Sequence, residues 1–220
     1  MHKLGITAFT ITYNALYCLH NALASVRDHV DDIWIGVDSR TKDGTRAYLT
    51  EQGIKWKEFV FQDDFSAAWN TVLDEVNGDW ALVIPSDEVY LPIHIQMLRA
   101  FALDPSNINV DAVYTSRRTW YDLDMANEKK ECWPDTQVTM FKSHFRYHGF
   151  VHESPGPFTK VVHKPDIERQ HFNAAYSDVK KQPQIDELYA RLEVKQKKVD
   201  PDFVLPRPLE YYRQLGILDK

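Results

Sequence analysis

Through roughly the first hundred residues, short apolar runs alternate with helical stripes. Leu4 to Thr12 is rich in β-branched and apolar positions and predicts a buried strand, which Asn14 ends. Leu16, Leu19, Leu23 and Val26 recur at helical spacing and predict a helix from Ala15 to His29. Ile33 to Val37 predicts a second strand, with a polar loop from Ser39 to Gly44 behind it. Thr45 can cap a short helix, and Gly53 stands where that helix should stop. Lys57 to Phe61 predicts a third strand. Ser66 can cap a helix that turns Ala68, Val72, Leu73 and Val76 inward, and Asn77-Gly78 ends it. Trp80 to Ile84 is a strongly apolar strand, and Pro92 fits the first turn of a helix running to Leu103.

Strand and helix alternating over short connections predict a parallel, doubly wound sheet, that is, an α/β fold. Such sheets bind ligands beyond the carboxyl ends of their strands. The polar residues that follow the strands are therefore the candidates: Tyr13-Asn14, Asp38, Asp63-Asp64 and Asp87-Glu88. The second half reads differently. Ala112 to Trp120 and Gln137 to Lys142 predict strands, with a charged loop from Tyr121 to Asp135 between them. Strand-like pieces continue at Phe150-Val151 and from Phe158 to His163. Ser177 to Lys197 predicts a helix whose start Pro183 interrupts. Pro201 to Lys220 carries three prolines and predicts an extended arm with a short terminal helix.

A chain of 220 residues suits one domain, here 1–200, with 201–220 as a tail. The net charge of −6 shows no basic footprint of a general nucleic-acid binder. Cys18 and Cys132 lack metal-site spacing and read as two free thiols in a reducing compartment. No signal peptide is legible, and no run approaches the ~18 apolar residues of a membrane span. The expected compartment is the cytoplasm.

Four constellations can carry chemistry. In Ile84-Pro85-Ser86-Asp87-Glu88 an apolar strand stops at two carboxylates. Such a pair can hold a hard divalent cation against a diphosphate, or cap the next helix, or simply meet solvent. In the loop from Asp38 to Thr45, Asp38 can accept hydrogen bonds from a base or ribose, and Arg40 and Lys42 can approach phosphate. The alternative there is a polar loop with a turn at Asp43-Gly44. In Asp64-Phe65-Ser66-Ala67-Ala68-Trp69-Asn70, small residues allow close approach to a ligand or a strand. In Gly149-Phe150-Val151-His152-Glu153, Glu153 is either a general base facing an acceptor hydroxyl or a buried, paired glutamate. His171 stands alone and is compatible with a metal ligand or a structural histidine.

The order of these segments resembles the family 2 glycosyltransferases of the GT-A fold. The matching pieces are Thr12-Tyr13-Asn14, Val37-Asp38 to Gly44-Thr45, Phe65 to Asn70, Gly78-Asp79-Trp80 to Asp87-Glu88, Tyr147 to Glu153, and His171 before a charged helix. The resemblance spans about residues 4 to 195. It implies a nucleotide-sugar-binding half over 1–103 and an acceptor-binding half over 104–200. Thr12, Tyr13, Asn14, Asp38, Arg40, Asp64, Asn70 and Ser86 would line the nucleotide-sugar site. Asp87 and His171 would hold Mn2+ or Mg2+, and Glu153 would be the base of an inverting transfer from a nucleotide-diphosphate sugar, by resemblance a UDP-sugar. One departure stands out: Pro85-Ser86-Asp87-Glu88 replaces the family's usual Asp-Ala-Asp-Glu, so the first acid is missing.

Two other functions fit parts of this pattern. A nucleotidyltransferase would carry a glycine-rich basic loop after the first strand, and Thr12-Tyr13-Asn14-Ala15 has neither glycine nor lysine. An inactive nucleotide- or glycan-binding module is favoured only by the missing acid. A protein, a glycan, a small molecule and a modified DNA base all remain open as acceptor. Arg117-Arg118-Thr119-Trp120-Tyr121 can line an acceptor site or pack as a half-buried strand.

Overall fold

Ile6, Ala8 and Phe9 are sealed from solvent on β1 (Ile6–Thr12), the strand around which the sheet is arranged. The computed structural model describes residues 5–176 and 182–218. Leu4, the start of the helix expected from Ser177, and the last two residues of the tail lie outside the described residues.

The chain continues through α1 (Leu16–Val26), β2 (Asp32–Asp38), α2 (Thr45–Glu51), β3 (Lys55–Phe59), α3 (Phe65–Leu73) and β4 (Trp80–Val83). Then follow β5 (Glu88–Tyr90), α4 (Pro92–Leu103), β6 (Ala112–Thr119), β7 (Asp135–Lys142), β8 (Arg146–His148) and β9 (Ser154–Gly156). The last elements are β10 (Val161–His171), α5 (Asn173–Tyr176), α6 (Gln182–Val199) and α7 (Leu209–Gln214). Eight strands form one sheet in the order β3-β2-β1-β4-β7-β6-β10-β5, and β8 and β9 form a separate hairpin. The pairs of β1 with β2 and β4, β2 with β3, and β6 with β10 are parallel. β7 and β5 run antiparallel to their neighbours. The expected α/β sheet, mostly parallel with a mixed second half, is present.

Side chains alternate across the sheet, so each strand feeds two cores. Ile6, Ala8, Ile35, Val37 and Leu82 join Leu19, Leu23, Ile95 and Leu98 from α1 and α4 on one face. Phe9, Ala81, Val83 and Phe141 meet Val72 and Leu73 of α3 on the other. The approach of α3 to β2 is close enough that a Cβ on Gly36 would stand 2.2 Å from Val72 Cγ2. Gly36→Ala should therefore cost about 1–3 kcal/mol, read as a lower urea midpoint with an unchanged slope.

Several expectations need correction. The residue that caps α3 is Asp64, whose Oδ1 accepts from the Ala67 N–H at 2.9 Å and from Ser66 Oγ at 2.8 Å. Phe150-Val151 is not a strand; the hairpin lies on either side of it. β10 runs far beyond His163, and β5 was not legible as a strand. Their charges conceal them: Glu168 pairs with Arg118, and Arg169 pairs with Glu88. The tail has the short terminal helix expected, α7, and that helix is docked on the domain. Tyr212 of α7 is fully buried against Ala190 and Val194 of α6.

Candidate active site

The strand order places β1 between β2 and β4, so the chain leaves β1 at the point where successive connections diverge to opposite sides. In sheets of this kind ligands bind at that point, beyond the carboxyl ends of the strands. The sequence puts Tyr13 and Asn14 after β1, Asp38 at the end of β2, and Ser86-Asp87 after β4. Asn14 holds a positive φ of 47°, and its Oδ1 accepts the Lys42 N–H at 2.7 Å. Asp43 reaches back to accept the Leu16 N–H at 2.8 Å, so the loops after β1 and β2 are tied together. The buried hydroxyls of Thr12 and Thr41 find no hydrogen-bond partner among the described residues.

Asp38 is buried and takes a fork from Arg40: Nε donates to Oδ1 at 2.9 Å and Nη2 to Oδ2 at 2.6 Å. Burial pushes the Asp38 carboxyl up, but the Arg40 hydrogen bonds and charge outweigh it and hold it below its ordinary range. The Arg40 guanidinium also lies 5.1 Å from the Tyr13 ring centre and 5.3 Å from that of Phe61. Arg40 is thus held on the Asp38 carboxylate.

Asp87 and His171 are distant in sequence and adjacent in space. The antiparallel pairing of β5 with β10 sets His171 opposite Glu88, which brings His171 Nε2 to 3.5 Å from Asp87 Oδ2. The other ring nitrogen, Nδ1, shares a 3.1 Å hydrogen bond with Thr119 Oγ1. That bond orients the imidazole so that Nε2 faces the carboxylate. Burial raises the Asp87 carboxyl, but the His171 contact and charge prevail and hold it low. Around it, burial and the Asp87 charge push the Cys18 thiol up to about 12. Cys18 and Cys132 are both free thiols, as expected.

The neighbouring Glu88 does not belong to this pair. Its side chain is 1% exposed, ion-paired to Arg169 at 2.7 Å and to Arg117 at 3.3 Å. Arg117 in turn holds Asp135 at 2.5 Å. The two adjacent carboxylates of the sequence therefore part company: Asp87 meets His171 and Glu88 locks β5 to β6 and β10.

Glu153 faces a cavity of 310 Å³ whose walls include Trp69, Tyr114, Arg117, Gln137 and Arg169. Trp69 Nε1 donates to its Oε1 at 2.8 Å. Burial dominates and raises the Glu153 carboxyl above its ordinary range, with Asp64 adding to the rise, while the Trp69 bond and the His152 charge oppose it. The preceding residue, His152, holds a positive φ of 52°. Its Nε2 meets Glu193 of α6 at 3.0 Å, and Tyr212 donates to the same buried carboxylate at 2.8 Å. The C-terminal segment therefore braces the loop that carries Glu153.

Two expected site residues have structural duties. Asn70 uses both ends of its amide on Tyr147, accepting the backbone N–H at 2.8 Å and donating to the carbonyl at 3.0 Å. Asp64 is the α3 cap already described, and Ser86 lies half-buried between β4 and β5. In the run from Arg117 to Tyr121, only Arg117 lines the Glu153 cavity. Arg118 pairs with Glu128 and Glu168, Trp120 Nε1 donates to Gln170, and the Tyr121 hydroxyl donates to Glu131. Sequence reasoning missed Arg169, Glu193 and Phe61, because nothing local marks a residue whose partner lies on a distant element.

An open α/β sheet with polar residues gathered at its switch point, an Asp–His pair and a cavity-facing glutamate defines a GT-A type domain. The chain belongs to glycosyl transferase family 2, whose model matches residues 7–156, and is a glycosyltransferase domain of that family. Among curated proteins, a TPR repeat-containing protein of Synechococcus elongatus is 44% identical over 70 residues, 32% of this chain. The match spans only 17% of that relative's length. Among solved structures, S. aureus TarS 1–349 shares the fold with a TM-score of 0.56 at 11% identity, covering 96% of this chain and 77% of that one. The same TarS fragment in complex with UDP-GlcNAc gives a TM-score of 0.52 at 10% identity, over 96% of this chain and 70% of that one. At such identities the likeness establishes the fold alone. No helix among the described residues is long and apolar enough to cross a membrane.

Proposed function

We propose that the chain transfers a sugar from a nucleoside-diphosphate donor, a UDP-sugar, to an acceptor hydroxyl with inversion. The observation that carries this reading is the meeting of Asp87 and His171 after the carboxyl end of β4, together with a cavity faced by Glu153. TarS binds UDP and UDP-GlcNAc on the same fold, which supports the donor class.

The residues present fit a divalent ion, with Asp87 Oδ2 and His171 Nε2 as its protein ligands. Among the described residues no third histidine, cysteine or acid joins them. Diphosphate oxygens and water would complete the shell, as is common for Mg2+. A mixed oxygen and nitrogen donor set suits Mn2+ better than Mg2+. Such an ion neutralises the charge that develops on a departing nucleoside diphosphate.

The protein's own groups do the rest. Tyr13 offers an aromatic face to the base, and Asp38 accepts its N–H. The acceptor hydroxyl enters the cavity and hydrogen-bonds to Glu153. As its oxygen bonds to the anomeric carbon, the proton passes to Glu153 and the bond to the diphosphate oxygen breaks. One displacement on one face inverts the anomeric centre. A protonated Glu153 cannot act, so burial makes this base weak at low pH and effective above its raised pKa.

The test is thermal stability with UDP, with and without Mn2+. At a hundredfold excess over Kd, binding to the native state adds about 2.7 kcal/mol. For a chain of this size that is a rise of roughly 5–10 °C. A rise that needs both UDP and Mn2+ is expected. No rise with any nucleoside diphosphate at millimolar concentration would defeat the transferase reading in favour of a binding module.

A further inference from the structure

We propose that Arg40 is a built-in competitor for the donor nucleobase, seated on Asp38 until a base displaces it. The inference rests on the donor-site reading above.

A nucleobase asks three things of a protein pocket: aromatic faces to stack against, an acceptor for its N–H edge, and shelter from water. The Arg40 guanidinium already takes the first two. It lies over both the Tyr13 and the Phe61 ring, at 5.1 and 5.3 Å from their centres. It donates in its own plane to both Asp38 oxygens, at 2.9 and 2.6 Å. It also covers the carboxylate: the Asp38 side chain is 3% exposed and the Arg40 side chain 56%. A flat, planar fork is the side chain best suited to mimic a base edge. Base and guanidinium cannot occupy Asp38 together.

The exchange requires only a side-chain movement. The loop stays anchored by Arg46, which donates to the carbonyls of Asp38 and Ser39 at 3.2 Å and of Thr41 at 2.7 Å. The Arg46 charge also remains near the Asp38 carboxylate when Arg40 leaves. The base that replaces Arg40 must bring its own N–H. Uracil, thymine and guanine bring a ring N–H on their pairing edge, whereas cytosine and adenine bring only an exocyclic amino N–H beside a bare ring nitrogen.

Competition of this kind has a signature. The competent fraction multiplies every apparent affinity by one factor, whatever else the ligand carries. Displacing a bidentate pair whose arginine is half exposed sets that factor on the order of 2- to 5-fold. The experiment is titration of UDP and UMP by calorimetry into the whole chain with Mn2+, comparing wild type, Arg40→Ala and the double variant Arg40→Ala with Asp38→Asn. Arg40→Ala should tighten UDP and UMP by the same factor, and the double variant should lose that gain. Weaker UDP binding in Arg40→Ala, with UMP little changed, would make Arg40 a phosphate contact and overturn the proposal. Equal affinities in wild type and Arg40→Ala, or a gain that survives Asp38→Asn, would overturn it as well and leave the donor site standing. Binding of neither nucleotide to wild type or Arg40→Ala would overturn both this inference and the donor site.

Discussion

Asp87→Ala should abolish sugar transfer while leaving the fold intact, and Glu88→Ala one residue later should do the reverse to the fold. Asp87 has a third of its side chain exposed and contacts His171 at 3.5 Å. Its removal leaves the His171 ring with its Thr119 hydrogen bond. Glu88 is different. With Arg169 it forms a pair in which both side chains are almost wholly buried. Removing one partner of such a pair strands the other charge in a low-dielectric interior, at a cost of about 3–5 kcal/mol. Arg117 would lose a second contact in the same step. Chemical denaturation and a transfer assay on both variants separate the two roles. A stable, active Glu88→Ala protein would contradict the buried network, and an active Asp87→Ala protein would sink the metal assignment.

Glu153→Gln should lower kcat by about 10²–10⁴-fold, the usual contribution of a general base, and should also stabilise the protein at neutral pH. The two effects share one cause. Burial raises the folded-state pKa of Glu153 above its unfolded value, so the fold favours the protonated form. That preference contributes its full stability below the ordinary glutamate range and is lost as pH rises through the raised pKa. Glutamine keeps an oxygen for the Trp69 N–H and never ionises, so it escapes the loss. The gain in melting temperature over wild type should therefore appear above the raised pKa and vanish in acid. In wild type, kcat/KM should rise with pH through that same pKa. Trp69→Phe deletes the 2.8 Å donor to the carboxylate and should move this limb to higher pH. A melting-temperature difference independent of pH would show that Glu153 is not the titrating group.

The bracing of the Glu153 loop explains why the C-terminal segment matters to the site. Glu193 is fully buried and is met by His152 on one side and Tyr212 on the other. A residue at positive φ, such as His152, persists when its surroundings over-determine it. The contacts from α6 and α7 supply that constraint.

The chain's own pattern determined the first half of this protein. Period-two and period-3.6 apolar spacing from β1 to α4 predicted every element but β5, because each of those elements buries a face against its neighbours in sequence. It also marked the strand ends where Tyr13, Asn14, Asp38 and Asp87 stand, since polar residues directly after a buried strand have few reasons to be there. Only the tertiary structure decided the rest. β5 and the far half of β10 are rich in charge, and charge reads as loop until the partner is known: Glu88 needs Arg169, and Glu168 needs Arg118. The same pairing moved His171 from a lone histidine to the side of Asp87 and withdrew Glu88 from it. It turned Asn70 into a clamp on Tyr147 and Asp64 into a helix cap. Apolar burial is non-directional and leaves a periodic trace in the sequence. A hydrogen bond or ion pair joins two particular atoms, and nothing in the spacing of either residue names the other.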